Sequence, residues 1–185
     1  MKKIVVFASG SGSNAENIIK YFNLKGKAAV VCVFTNNAQA KVIERAKNHN
    51  VETVIFSKSE LNESELLQKI NSINPDLIIL AGFLLKFPSS IINQYPNKII
   101  NIHPALLPKF GGKGMYGMNV HQAVVDKKET ETGITIHYIN ENYDEGAIIF
   151  QKSFALTGQE TAEDVANKIH ELEHLHFPEI IEQLI

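Results

Sequence analysis

The chain has 185 residues, of which 44% are hydrophobic and 21% charged. That length suits a single domain, and the balance excludes wholesale disorder, which needs few apolar residues and a large net charge. A formal net charge of −2 supplies no bulk basic field to draw the protein to nucleic acid or acidic lipid.

Met1-Lys2-Lys3 has the look of a signal start, but the apolar stretch breaks at once into Ser9-Gly10-Ser11-Gly12-Ser13. Residues 4–8, rich in β-branched side chains, are expected to form a first strand. Residues 14–22 follow with helical spacing, Ile18, Ile19 and Phe22 on one face. Residues 28–34 read as a second strand, with the lone Cys32 as a small core residue; one cysteine allows no intramolecular disulfide and fits a reducing compartment. A second helix over 38–48, a third strand over 51–56 and a third helix over 62–73 come next. Residues 77–81 form a continuously apolar fourth strand, expected to be buried on both faces. The apolar run extends only to residue 85, far short of the ~20 residues of a membrane span. A short helix over 88–94 begins at Pro88, and residues 98–102 form a fifth strand. Beyond a glycine-rich loop over 106–119, a helix is expected over 120–127 and two antiparallel strands over 133–139 and 147–154. A long helix over 161–184 starts on a Thr161/Asp164 capping pattern, with Pro178 as a kink or break.

Strands alternating with helices imply βαβ units. The expected fold is α/β: a Rossmann-like, mostly parallel sheet flanked by helices, with an antiparallel extension in the C-terminal half. Ligands in such sheets bind outside the carboxyl ends of the strands. There stands Ser9-Gly10-Ser11-Gly12-Ser13-Asn14, opening a helix whose unpaired N–H groups suit a phosphate. Gly10-x-Gly12-x-x-Ala15 also fits the loose dinucleotide pattern, but the second strand ends Thr35-Asn36-Asn37, without the acid that holds a ribose. A single phosphate is therefore favoured over a dinucleotide, and a plain tight turn is the bland alternative. Asn101-Ile102-His103-Pro104 ends the fifth strand with Asn101 and His103 on one side, an amide donor beside a titratable imidazole. Asp144 lies in a turn where a carboxylate is usually solvated, and Glu173-His174 on the last helix read alone as surface charge. The remaining histidines are too scattered to suggest a metal site.

Taken in order, these pieces resemble the folate-dependent formyltransferases, in particular their branch acting on glycinamide ribonucleotide in purine biosynthesis. The matching motifs are the Ser9–Asn14 loop, Leu80-Ala81-Gly82-Phe83, Asn101-Ile102-His103-Pro104-Ala105-Leu106-Leu107-Pro108, Tyr143-Asp144-Glu145-Gly146, and Glu173-His174 followed by Phe177-Pro178. The resemblance implies an enzyme that moves a formyl group from 10-formyltetrahydrofolate, its co-substrate, to the amine of glycinamide ribonucleotide, with no metal. It implies that Asn101 and His103 stabilise an oxyanion and that Asp144 orients or charges His103 and takes the amine proton through water. Gly12, Ser13 and Asn14 would hold the substrate phosphate and Glu173 its ribose. Leu80, Leu84, Leu85 and Phe87 would line a pteridine slot closed by Asn140, Glu141 and Tyr143. The implied partners are these small molecules, with no nucleic acid and no membrane, in a cytoplasmic monomer or weak homodimer. One domain is expected over 1–185, its phosphate-binding half over 1–100 and its folate and catalytic half over 101–185. Three departures stand out. Ala105 replaces a usual Ser, Leu85-Lys86 stand where one branch has Arg, and the 111–119 loop is long. Formyltetrahydrofolate hydrolysis, other folate-dependent formyl transfer and a phosphate-binding module are the alternative readings.

Overall fold

The computed structural model describes residues 1–62 and 64–185. Glu63, within the helix expected over 62–73, lies outside the described residues. Strands β1 (Lys2–Phe7), β2 (Ala28–Thr35), β3 (Glu52–Ile55), β4 (Leu77–Leu80), β5 (Ile99–His103), β6 (Glu131–Tyr138) and β7 (Ile148–Ala155) form one sheet in the order β3-β2-β1-β4-β5-β6-β7. The pairs through β5 are parallel, whereas β5–β6 and β6–β7 are antiparallel. The expected fold class is thus observed, antiparallel extension included.

Alternation in β1 divides the core. Ile4 and Val6 face one side of the sheet, with Ile18, Ile19 and Phe22 of helix α1 (Ser13–Lys25) and Ile169, Phe177 and Ile181 of helix α6 (Ala162–Leu184). Val5 and Phe7 face the other side, with Leu66 and Ile70 of helix α3 (Ser64–Ile73) and Ile91 of helix α4 (Ser89–Gln94). Phe7 anchors that second layer: Phe34 stacks on it at 4.7 Å, and Phe83 and Phe87 meet it edge-on at 5.5 and 5.0 Å.

Helix α1 runs three residues past its expected end at residue 22. Helix α2 (Val42–Asn48) starts later than residue 38, because the Asn37 side chain accepts the Gln39 N–H and its carbonyl accepts the Ala40 N–H, holding that stretch in turns. Helix α5 (Met118–Asp126) starts earlier than residue 120. The capping box at Thr161 forms as expected, the Asp164 N–H donating to Thr161 Oγ1 and the Thr161 N–H to Asp164 Oδ2. Pro178 does not break α6, which continues to Leu184. Proline removes the donor for the carbonyl four residues back. That carbonyl, His174 O, instead accepts Nδ2 of Asn17 from α1 at 2.8 Å.

The strand order reverses at β1, flanked by β2 and β4. This switch point opens a crevice at the carboxyl ends of the strands. The loops after β1, β4 and β5 all enter it, and helices α5 and α6 close its far side.

Candidate active site

The crevice is a cleft of about 1080 Å³. At one end Gly12 precedes α1 in a left-handed conformation, φ 72° and ψ 18°. A Cβ there would lie 2.4 Å from the Val42 side chain, so conformation and space both demand glycine. The first turn of α1 has no side-chain cap, which leaves N–H groups of Ser13 and Asn14 available to an anion in the cleft they line. Asn14 Nδ2 donates to Glu173 Oε2 at 2.8 Å. Glu173 is thereby no surface charge: it is 9% exposed and lines the cleft. His170 Nδ1 lies 3.5 Å from the same oxygen, and this carboxylate raises the His170 pKa above its ordinary value. Asn14 Oδ1 and His121 Nδ1, both on cleft residues, are buried without a hydrogen-bond partner among the described residues. Such atoms fit a ligand rich in hydroxyl groups.

At the other end β5 presents Asn101 and His103 together. The Asn101–His137 pair is set by the antiparallel register, which places those two residues opposite each other on β5 and β6. His137 is fully buried; its Nδ1–H donates to the Tyr138 carbonyl at 2.9 Å. Its Nε2 is therefore the acceptor for Asn101 Nδ2 at 3.1 Å. Burial pushes the His137 pKa down, which favours this neutral form.

His103 is 3% exposed, and its Nε2–H donates to the Phe110 carbonyl at 2.8 Å, leaving Nδ1 to face Asp144 Oδ2 at 3.7 Å. Burial lowers the His103 pKa, against opposing pulls from Asp144 and the Phe110 carbonyl. Asp144 sits between the two imidazoles, with Oδ1 3.6 Å from His137 Nε2. It adopts a left-handed backbone at φ 55°, a conformation in which Asp is enriched, and Oδ2 accepts the Gly112 N–H at 2.9 Å. Two residues on, a Cβ at Gly146 would lie 1.7 Å from the Tyr138 carbonyl oxygen, so the loop returns to β6 only through a glycine.

The stretch leading to the Phe110 carbonyl is tied to β6 and β7 by a polar network around the buried Thr135. Thr135 Oγ1 donates to the Ala105 carbonyl at 2.7 Å and accepts the Leu107 N–H at 3.0 Å and Gln151 Nε2 at 2.9 Å. Gln151 Nε2 also reaches the Leu107 carbonyl at 3.0 Å. These bonds hold the stretch that leads from His103 to Phe110.

Leu84, Leu85 and Phe87 line the cleft between the two ends, with Glu141 and Tyr143 across it. Leu80 and Asn140 do not line it. Leu80 is 5% exposed in the core beside Phe87, and Asn140 Oδ1 accepts the Asn142 N–H inside its own loop. The structure therefore brings together Asn101, His103, Asp144, Gly12, Ser13, Asn14, Glu173, Leu84, Leu85, Phe87, Glu141 and Tyr143. His121, Thr135, His137 and Gln151 were not expected at the site. For His137 the sequence held one clue, a histidine inside the strand expected over 133–139.

A Formyl transferase family model matches residues 2–181. The chain belongs to that family. Phosphoribosylglycinamide formyltransferase of Bacillus subtilis is 39% identical over 194 residues, covering 100% of this chain and 95% of that protein. The chloroplastic phosphoribosylglycinamide formyltransferase of Arabidopsis thaliana is 35% identical over 97% of this chain. The chain spans 64% of the Arabidopsis protein's length and 61% of its Vigna unguiculata counterpart's. The crystal structure of glycinamide ribonucleotide transformylase 1 from Geobacillus kaustophilus superposes with a TM-score of 0.89 at 34% identity, covering 100% of this chain and 98% of that one. Among the described residues, no helix is long and apolar enough to cross a membrane.

Proposed function

We propose that the protein transfers the formyl group of 10-formyltetrahydrofolate to the amine of glycinamide ribonucleotide. It does so as one domain over 1–185, with the phosphate held by the half over 1–100 and the folate and chemistry by the half over 101–185. The observation that carries this reading is the meeting, in one cleft, of an anion-ready helix start with an amide, an imidazole and a carboxylate. The names of the relatives support formyl transfer to glycinamide ribonucleotide.

The substrate phosphate takes the N–H groups at Gly12, Ser13 and Asn14, and Glu173 accepts from the ribose hydroxyls. The pteridine lies against Leu84, Leu85 and Phe87. Leu80 supports that wall from behind, and Asn140 shapes the loop that carries Glu141 and Tyr143. The amine nitrogen attacks the formyl carbon, the new C–N bond forms, and the formyl oxygen becomes an oxyanion. Asn101 uses one amide hydrogen on His137 and has the other for that oxyanion. His103 Nε2 is engaged by Phe110, so Nδ1 is where the ring gains its second proton and its charge, balanced by Asp144 as the 3.7 Å gap closes. A donor preorganised for developing charge in a buried site contributes roughly 3–4 kcal/mol. The amine gives up a proton to Asp144 through water. As the oxyanion collapses to a carbonyl, the bond from the formyl carbon to the folate N10 breaks, and N10 takes through water the proton that Asp144 received from the amine, so that tetrahydrofolate leaves.

The test is transfer from 10-formyltetrahydrofolate to glycinamide ribonucleotide by wild type and Asp144→Asn. The expected result is transfer by wild type and a kcat lower by about 10²–10⁴ in the variant, the range of general acid–base catalysis. An equally active variant removes Asp144 from the mechanism. Formate release without transfer assigns the protein to folate hydrolysis instead. Neither product from folded protein leaves a phosphate-binding module.

A further inference from the structure

Glu173 reaches the cleft from α6, and its position along and around that helix decides where its carboxylate falls. Two amides of α1 hold α6 at this point. Asn14 Nδ2 donates to the Glu173 carboxylate and Asn17 Nδ2 to the His174 carbonyl, each at 2.8 Å. Positions three apart share a helix face, so the two amides form one clamp on consecutive residues of α6. The second grip exists only because of Pro178. With any other residue there, a backbone N–H would close on the His174 carbonyl within the helix. The buried proline empties that place in the ladder, and Asn17 enters it from the neighbouring helix.

We propose that Asn17 is a positioning residue for ribonucleotide recognition, the Pro178 gap in α6 serving as the socket through which α1 sets the place of Glu173. This rests on the reading of Glu173 as the ribose acceptor. Asn17 touches no substrate. It fixes the carboxylate that does, so it acts on the ribonucleotide end of the cleft and leaves the folate end alone.

The experiment compares wild type, Asn17→Ala, and Asn17→Ala combined with Pro178→Ala. The double variant regains an intrahelical donor for the His174 carbonyl but not the tie to α1. Steady-state kinetics should give Asn17→Ala about a tenfold higher KM for glycinamide ribonucleotide, the size of one weakened charge-assisted hydrogen bond. Its kcat and its KM for folate should stay within about twofold of wild type, well under the tenfold that 1.4 kcal/mol represents. In the double variant the melting temperature should recover while the raised KM persists. Recovery of both would show that Asn17 only satisfies a carbonyl, and would overturn the proposal.

A second readout needs no catalysis. Calorimetric titration should find ribose 5-phosphate bound about tenfold more weakly by both variants than by wild type, with inorganic phosphate bound equally by all three. Unchanged ribose 5-phosphate binding, or an equal loss for inorganic phosphate, overturns the proposal even if wild type transfers no formyl group. A loss confined to ribose 5-phosphate sustains the clamp on Glu173 when that transfer fails, so the two readings fail separately.

Discussion

The two ends of the cleft are built differently. The proposed phosphate end is made mostly of backbone. Gly12 and the start of α1 are neighbours in sequence, packed on Val42 and the core beneath β1. The proposed catalytic end is made of side chains from three places: Asn101 and His103 on β5, His137 on β6, and Asp144 in the loop between β6 and β7. A backbone site depends on one local conformation and fails when that conformation is blocked. A side-chain site depends on a chain of hydrogen bonds, each fixing the next group's tautomer or rotamer, and weakens stepwise.

That contrast can be broken. Gly12→Ala places a Cβ against Val42 in a left-handed backbone, for roughly 2–4 kcal/mol of lost stability. Thermal unfolding measures this, and adding Val42→Ala should return only the steric part. A fully stable Gly12→Ala protein would mean that the loop is not the rigid element described.

At the other end, His137→Phe removes the acceptor that orients Asn101 while filling the same space. It should lower kcat roughly tenfold, the cost of about 1–2 kcal/mol for one buried partner lost. The KM for ribonucleotide should barely move. A kcat equal to wild type would show that Asn101 is oriented without its neighbour.

A third prediction concerns acid stability at helix α1. Lys20 holds the Glu16 pKa down at about 2, with help from Arg45 and His49. Glu16 is depressed on folding, so its stabilisation is present above its unfolded value and disappears as pH falls through the folded one. The window runs from about 4.5 down to about 2. Glu16→Gln should cost roughly 1 kcal/mol at neutral pH, allowing for its exposed partners, and flatten the loss of stability in that window. Denaturant midpoints against pH measure it, and a curve parallel to wild type would refute the assignment.

The smallest effect expected is on the loop over 109–117, where Gly112, Gly114 and Gly117 all hold positive φ. Hydrogen exchange there should slow on saturation with ribonucleotide and folate. Unchanged exchange would show a loop already set by its bonds to Asp144 and His103.

Much of this protein was legible before folding. The βαβ alternation, the glycine loop and the Asn101/His103 spacing are local patterns, because strands and helix starts impose periods of two and 3.6 and need particular residues at their ends. The Thr161 capping box formed as its spacing predicted for the same reason. Other features answer to partners distant in the chain. Glu173 looked like a surface charge and became a buried acceptor because Asn14, 159 residues away, was folded beside it. Pro178 looked like a break in α6 and was bridged by Asn17. His137 met Asn101 through antiparallel register, and Asp144 was lifted between two imidazoles by a positive-φ turn. Local sequence therefore determined which elements form and where an anion can sit. Only tertiary packing decided which polar groups would meet, because burial obliges each of them to find a partner and the fold determines which partners lie within reach.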